Sequence, residues 1–155
     1  MILRPGRRED AAECSAVHVR CWQQAYAAMA PGVLALAPDA RRPVWERVLA
    51  EGAATLLLDA AGRVAGFVTV SDGELRALYL LAEHHGAGWG GRLHDAGLDR
   101  LRALGTTEAR LWVLEDNARA RAFYERRGWE ATGDRQDVPL VGAVLPEVRY
   151  RRALD

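Results

Sequence analysis

Between Ala54 and Leu81 the hydrophobic residues change period. The stretch ATLLLDAAGRVAGFVTVSDGELRALYLL reads as three strands, Ala54–Asp59, Val64–Val70 and Glu74–Leu81, with AAGR and SDG as turns. A parallel crossover needs about a dozen residues, so these short links make antiparallel hairpins. Directly after them, HHGAGWGG places four glycines in the eight residues His84–Gly91 and runs into a helical pattern. Hairpins that feed a glycine loop and a helix do not suit a doubly wound parallel sheet. They call for a mixed one.

The flanks supply the remaining elements. ILR (Ile2–Arg4) is a short strand closed by Pro-Gly. From Glu9 to Ala30 a helical pattern places Val17, Cys21, Ala25 and Ala28 on one stripe, with Trp22 and Tyr26 beside it. PDARRPVWERVLAEG forms a second helix with Asp39 as its cap, Val44, Val48 and Leu49 facing inward and Gly52 as its stop. Beyond the glycine loop, Leu93, Gly97, Leu101 and Leu104 repeat at helical spacing, and Gly105 stands at the C-cap position. EARLWVL is a strand. DNARARAFYERRG is a helix capped by Asp116 or Asn117 and stopped by Gly128. WEATGD and VLPEVRYRRAL are strands, and the segment RQDVPLVGAVLPE reads as a long loop, fit to wall a site. The expected order is β-α-α-β-β-β-α-β-α-β-β, an α/β (α+β) mixed sheet in a single domain over residues 1–155.

Composition narrows the function. Hydrophobic residues make up 50% of the 155 positions, enough for one proper core, and no apolar run reaches bilayer length. MILRPGRRED lacks the apolar centre of a signal peptide, so a cytoplasmic location is expected. Lys+Arg and Asp+Glu are both 21, and a net charge of +0 argues against a general nucleic-acid binder. All the basic residues are Arg, which reflects compositional bias. Cys14 and Cys21 lie seven positions apart, roughly 10.5 Å along a helix, too far for a disulfide. No Cys/His group has zinc spacing, so no metal is expected.

Three phosphate-binding patterns can be laid over the loop. Gly86 and Gly91 have P-loop spacing, but Arg92 and Leu93 replace the Lys and Ser/Thr that hold phosphate and magnesium. Gly86, Gly88 and Gly91 match the dinucleotide fingerprint, with Glu115 ending the next strand 24 residues after Gly91. That fingerprint begins where its strand ends, whereas AEHH intervenes here. The third pattern is [RQ]-x-x-G-x-[GA] after a strand, seen as LYLLAEHHGAGWGGRL.

With that third pattern the chain resembles the GNAT-type N-acetyltransferases. LWVLEDNARARAFYERRGWEATG resembles the family's next segment, A-x-x-F-Y-x-x-x-G-[FW] led by an Asn. ILRPGRREDAAECSAVHVRCWQQAY and EVRYRRAL resemble its first strand and helix and its last strand, so the likeness covers essentially the whole chain. Two departures stand out: His85 replaces the usual Arg or Gln, and Ala82 a common Pro.

The resemblance implies acetyl-coenzyme A as co-substrate. Its pyrophosphate would sit on the backbone of His85, Gly86, Ala87, Gly88, Gly90 and Gly91, where a helix N-terminus adds positive potential. It also implies that the Leu80 N–H polarises the thioester carbonyl and that the Leu78–Leu80 strand pairs with the pantetheine arm. Attack of an amine on a thioester needs a neutral amine, oxyanion stabilisation and a proton for the thiolate. Tyr124, the Tyr of the FY pair, is the implied acid, against a core role that Phe123 fits better. Asn117 is the implied cofactor contact, against a plain N-cap. The resemblance implies a Glu or Asp on this strand as base, directly or through an ordered water, and Glu74 is the candidate, since positions two apart on a strand share a face with Leu78 and Leu80; the alternative is a solvated turn charge. Asp72 and Glu83 are weaker candidates, and His84 and His94 are placed at the surface. Trp22 and Tyr26 would wall the acceptor site or belong to the core.

The expected function is acetyl transfer to a small-molecule or peptide amine by direct attack in a ternary complex, by a chain free to form a homodimer and without nucleic-acid or membrane partners. A non-catalytic acyl-coenzyme-A sensor on the same fold and a nicotinamide-dependent oxidoreductase are the competing functions.

Overall fold

The computed structural model describes residues 1–51 and 54–155. Its elements follow the expected order: β1 (Ile2–Pro5), α1 (Ala11–Tyr26), α2 (Arg42–Ala50), β2 (Ala54–Ala60), β3 (Arg63–Ser71), β4 (Glu74–Leu80), α3 (Trp89–Ala103), β5 (Glu108–Leu114), α4 (Ala118–Arg126), β6 (Glu130–Leu140) and β7 (Ala143–Ala153). Short 3-10 turns at Arg8–Asp10, Pro31–Ala35 and Ala82–His84 punctuate the chain. Gly52, expected to stop α2, lies outside the described residues.

The strands form one seven-stranded sheet in the order β1-β2-β3-β4-β5-β7-β6. Every neighbouring pair is antiparallel except β4 and β5. That parallel pair is joined by the α3 crossover, and among the described residues its register consists of Glu74 opposite Arg110. The Arg110 N–H donates to the Gly73 carbonyl at 3.0 Å at the same end. Beyond it β4 and β5 diverge, and the edge of β4 that faces β5 is left unpaired.

Helices cover both faces. Leu93, Leu98 and Leu101 of α3 pack with Val68, Val70, Leu111 and Tyr150, together with Tyr124 of α4. Gly97 brings α3 close: a Cβ there would lie 2.8 Å from Val68 Cγ2. On the opposite face Cys14, Val17, Cys21 and Trp45 pack on Leu57, Val64 and Phe67. A third cluster gathers Tyr26, Ala30, Val33, Leu114 and Leu140 near the diverging strands.

Three expectations change. α1 ends at Tyr26, so Ala25 and Ala28 are exposed and the buried stripe runs through Cys14, Val17 and Cys21. Trp45 is the fully buried residue of α2, with Val48 and Leu49 packed beside it as expected and Val44 outside that cluster, and Asp39 makes no side-chain cap. The segment 135–147 is not a loop: β6 and β7 run through it as a hairpin, turning at Val141 and Gly142 with φ of 44° and 84°. Both cysteines are free and buried, and burial pushes their thiols up to about 12, so they stay unreactive.

Candidate active site

The opening between β4 and β5 is built by hydrogen-bond parity. The Leu81 N–H donates to the Ala65 carbonyl of β3 at 3.0 Å. Successive N–H groups of a strand point to opposite edges. The N–H groups of Leu80 and Leu78 therefore point away from β3, into the opening. The Leu80 carbonyl on that edge is met by His85 Nε2 at 2.8 Å. A carbonyl oxygen can only accept, so Nε2 is the donor, and His85 closes the carbonyl and leaves the neighbouring N–H free.

The glycine loop lies at the end of β4. Gly86 and Gly88 hold φ of +85° and +86°, the left-handed region in which a side chain is strained. Gly88 is the N-cap of α3 and no side chain caps that end. The N–H groups of the first turn, including those of Gly90 and Gly91, thus lack intrahelical partners and form the place for an anion. Gly90 sits against the Phe123 ring, 3.6 Å from an ideal Cβ. Gly91 leaves room for Arg127, whose Nη2 would be 2.9 Å from a Cβ there. Arg127 lies over Phe123 at 3.7 Å and donates to the Phe123 carbonyl at 3.3 Å. It adds a fixed cation beside the loop. Sequence reasoning missed it, because nothing in ERRG tells which arginine turns inward.

Three phenols converge beside the opening. Tyr124 of α4 is 7% exposed, and among the described residues no side-chain hydrogen bond acts on its phenol. Burial first, and then the Tyr79 phenol, raise its pKa, so it stays protonated at neutral pH. Tyr26 is raised likewise by burial, with Tyr79 and Tyr124 adding to it. Tyr79 precedes Leu80 and was not singled out from the sequence; its hydroxyl accepts from Trp22 Nε1 at 3.2 Å. Asn117 caps α4 through Oδ1, which accepts from the Ala120 N–H at 3.2 Å, and its Nδ2 reaches the Tyr26 hydroxyl at a long 3.5 Å. The structure thus brings Trp22, Tyr26, Asn117 and Tyr124 together. It also exchanges the expected roles of the FY pair in packing: Tyr124 is buried, while Phe123 keeps some exposure.

Glu74 does not join them. β3 pairs Val70 with Leu75 but Thr69 with Ala77, so Arg76 is an extra, bulged residue. The bulge reverses parity. Leu75 shares a core with Leu78 and Leu80, and Glu74 faces the other way. It also stands six residues from Leu80, roughly 20 Å along a strand. Its oxygens are held by Arg149 Nη2 at 2.8 Å and Arg76 Nη1 at 3.1 Å. Asp72 is an exposed turn residue with φ of 50°. Glu83 pairs with Arg20 at 2.9 Å. His84 lies in a 3-10 turn, partly exposed. His94, placed at the surface from sequence, is 1% exposed. Its Nε2 accepts from Trp129 Nε1 at 2.9 Å and its Nδ1 contacts Asp95 at 2.9 Å. Burial lowers its pKa and keeps the ring neutral.

This fold is shared with known proteins. The sequence model of the Acetyltransferase (GNAT) family matches residues 16–129. The chain belongs to that family, a class of acetyl-coenzyme-A-dependent N-acetyltransferases. A GCN5-related N-acetyltransferase from Rhodopseudomonas palustris superposes with a TM-score of 0.82 at 25% identity, covering 99% of this chain and 95% of that one. PaiA N-acetyltransferase of Thermoplasma acidophilum, solved with coenzyme A, gives a TM-score of 0.76 over 99% of this chain and 98% of that one; at 18% identity it speaks for the fold alone. A mycothiol acetyltransferase of Clavibacter michiganensis is 38% identical over 106 residues, 64% of this chain and 31% of that protein. The chain spans 25% to 31% of the length of the curated relatives it matches. Among the described residues no helix is long and apolar enough to cross a membrane.

Proposed function

We propose that the chain transfers the acetyl group of acetyl-coenzyme A to an amine by direct attack within a ternary complex. The observation that carries this reading is the unpaired β4 edge: the Leu80 N–H opens toward the gap, between the capless N-terminus of α3 and the buried phenol of Tyr124. Pyrophosphate fits the backbone of Gly86–Gly91, with Arg127 beside it. The pantetheine arm fits the edge at Leu78 and Leu80, where its amides would pair as an added strand. The Leu80 N–H then points at the thioester oxygen and stabilises the oxyanion. Tyr124 gives its proton to the departing thiolate as the C–S bond breaks and the amide forms. With Glu74 turned away and paired, water takes the ammonium proton.

The test runs thermal unfolding with acetyl-coenzyme A, coenzyme A, NADH and ATP–magnesium in parallel, followed by thiol release on an amine panel. A ligand at 100 times its Kd stabilises by about 2.7 kcal/mol, roughly 5–10 °C for a domain of this size. A shift with acetyl-coenzyme A and coenzyme A, together with amine-dependent thiol release, is expected. A shift with NADH instead, or binding without turnover on every amine, refutes the assignment.

A further inference from the structure

Arg41 is the one partly buried arginine whose side chain finds no acceptor among the described residues. Its backbone N–H is fixed by the Ser15 hydroxyl at 2.9 Å. Its guanidinium lies over the Trp22 ring, 4.9 Å from the centroid. Its Nε is buried without a partner, and among the described residues it forms no ion pair with a carboxylate. The other partly buried arginines, Arg4, Arg102, Arg121, Arg127, Arg149 and Arg152, all donate to a carboxylate, a phenol or a backbone carbonyl. The adjacent Arg42 is paired with Glu46 at 2.9 Å. Half-burying a cation costs free energy unless an anion or acceptor pairs with it, and among the described residues only the Trp22 ring offsets that cost.

The position of Arg41 says what would pair with it. The same Trp22 that carries Arg41 on its face donates from its edge to the Tyr79 hydroxyl. Tyr79 precedes Leu80. Arg41 is thus linked through Trp22 to the phenol of the residue that precedes Leu80. It is also a single cation, since its neighbour His18 stays neutral at physiological pH. A single planar guanidinium with free N–H groups matches a carboxylate, which it can hold through two parallel bonds.

We propose that Arg41 anchors a carboxylate of the acceptor, so that the chain acetylates amines that also carry a carboxylate group, of amino-acid or peptide type. This rests on the acetyl-transfer reading and narrows its substrate class. The carboxylate takes no part in the chemistry; it fixes the amine relative to the thioester.

The test compares the common L-amino acids, β-alanine and 4-aminobutyrate with their carboxamides, using the full chain and its Arg41→Gln and Arg41→Lys variants. The best acid is expected to exceed its amide in kcat/KM by about ten- to a hundredfold, the span of a charge-assisted hydrogen bond. Arg41→Gln should bring that ratio close to one, and Arg41→Lys should restore part of it. A binding readout does not depend on turnover: calorimetric titration of N-acetylated amino acids and their amides onto the coenzyme-A-loaded protein. Acids that bind while amides do not, with the difference lost in Arg41→Gln, support the proposal. Amides acetylated as fast as acids, or an acid preference that survives Arg41→Gln, overturn it and leave acetyl transfer standing. Preferential acid binding with no turnover of any amine would instead overturn the enzymatic reading and keep Arg41 as a carboxylate anchor.

Discussion

His18 makes the protein acid-labile in a way that a single substitution can isolate. Its ring is 7% exposed and packs between Trp22, Tyr79 and Phe67, with centroids at 4.7, 4.9 and 5.4 Å. Its Nδ1 accepts from Trp45 Nε1 at 3.1 Å, which places the proton on Nε2, and Nε2 is buried without a partner. Burial, aided by the charge of Arg41, depresses the pKa from 6.5 to about 3. The sign follows from proton counts. Above pH ~6.5 neither state carries the proton and His18 contributes no pH dependence. As pH falls below that value the unfolded chain gains a proton that the folded chain refuses, so stability is lost. The loss approaches 1.4 kcal/mol per pH unit and totals about 5 kcal/mol on reaching pH 3. His18→Asn keeps an acceptor for Trp45 and cannot titrate. The smaller side chain leaves a cavity, and the variant should be about 2–3 kcal/mol less stable at pH 7.5. Urea unfolding followed by tryptophan fluorescence from pH 8 to 4 should show a shallower acid limb for the variant. The two curves should meet near pH 4–5, where the parent has lost a similar amount. Carboxylates and His94 titrate in both proteins and cancel in the difference. Parallel curves would mean that folded His18 takes up its proton, and the neutral-ring picture would be wrong.

Removing the Tyr124 hydroxyl should separate chemistry from folding: Tyr124→Phe loses no side-chain hydrogen bond among the described residues, so Tm should move by less than about 2 °C while kcat falls about 10²-fold or more; an undiminished rate would rule out the phenol as acid. Because burial raises the Tyr124 pKa, the pH–rate profile should climb as the acceptor amine deprotonates and show no descending limb at the usual phenol value near 10; a fall-off there would show an ordinary phenol. Gly88→Ala puts a Cβ at a φ of +86° with nothing within 4 Å, so strain and not collision sets the cost, about 1–2 kcal/mol, and acetyl-coenzyme A should bind at least tenfold more weakly in calorimetry. Glu74→Gln should leave kcat within about twofold and cost about 1 kcal/mol in urea unfolding through the pairs with Arg149 and Arg76; a large fall in kcat would return Glu74 to the list of bases.

The parts of this fold that were legible in sequence are those written in local chemistry. The hairpins show as period two with Gly turns, α3 as a helical repeat, the loop as a cluster of glycines, and Asn117 as a cap. What failed depended on partners far along the chain. A bulge at Arg76 leaves no composition mark, yet it reverses the face on which Glu74 sits. β6 is an edge strand whose residues are almost all exposed, so it shows no alternation, and its Pro139 looked like loop although an edge tolerates it. His94 read as a polar surface residue and His18 carried no signal, until Trp129 and Trp45, 35 and 27 positions away, are seen to supply their donors. Arg41 was one arginine among many, and what sets it apart is that no acid among the described residues pairs with it.

The location of the site follows from the one parallel pair in an otherwise antiparallel sheet. Joining β4 to β5 in parallel requires a crossover, and a crossover helix starts where β4 ends. The unpaired N–H groups of α3 are thereby delivered to the same end of the sheet as the Leu80 N–H. The helix after β5 starts at that end too, which brings Asn117 and Tyr124 beside the opening. On the other face α1 ends there with Trp22 and Tyr26, and the turn that follows touches the β6–β7 hairpin: a Cβ at Gly32 would lie 2.5 Å from the Val141 carbonyl. Cofactor and acceptor would thus meet from opposite faces of one sheet, at the point where its strands separate. On this division Arg41, on the α1–α2 side, would select the acceptor without touching the glycine loop, and Arg127, on the α3–α4 side, would serve the loop alone. Exchanging the two tests the division directly. Arg127→Gln should weaken coenzyme A binding and leave the acid-to-amide ratio intact, whereas Arg41→Gln should do the reverse; a variant that moves both quantities together would show that the two faces are not independent.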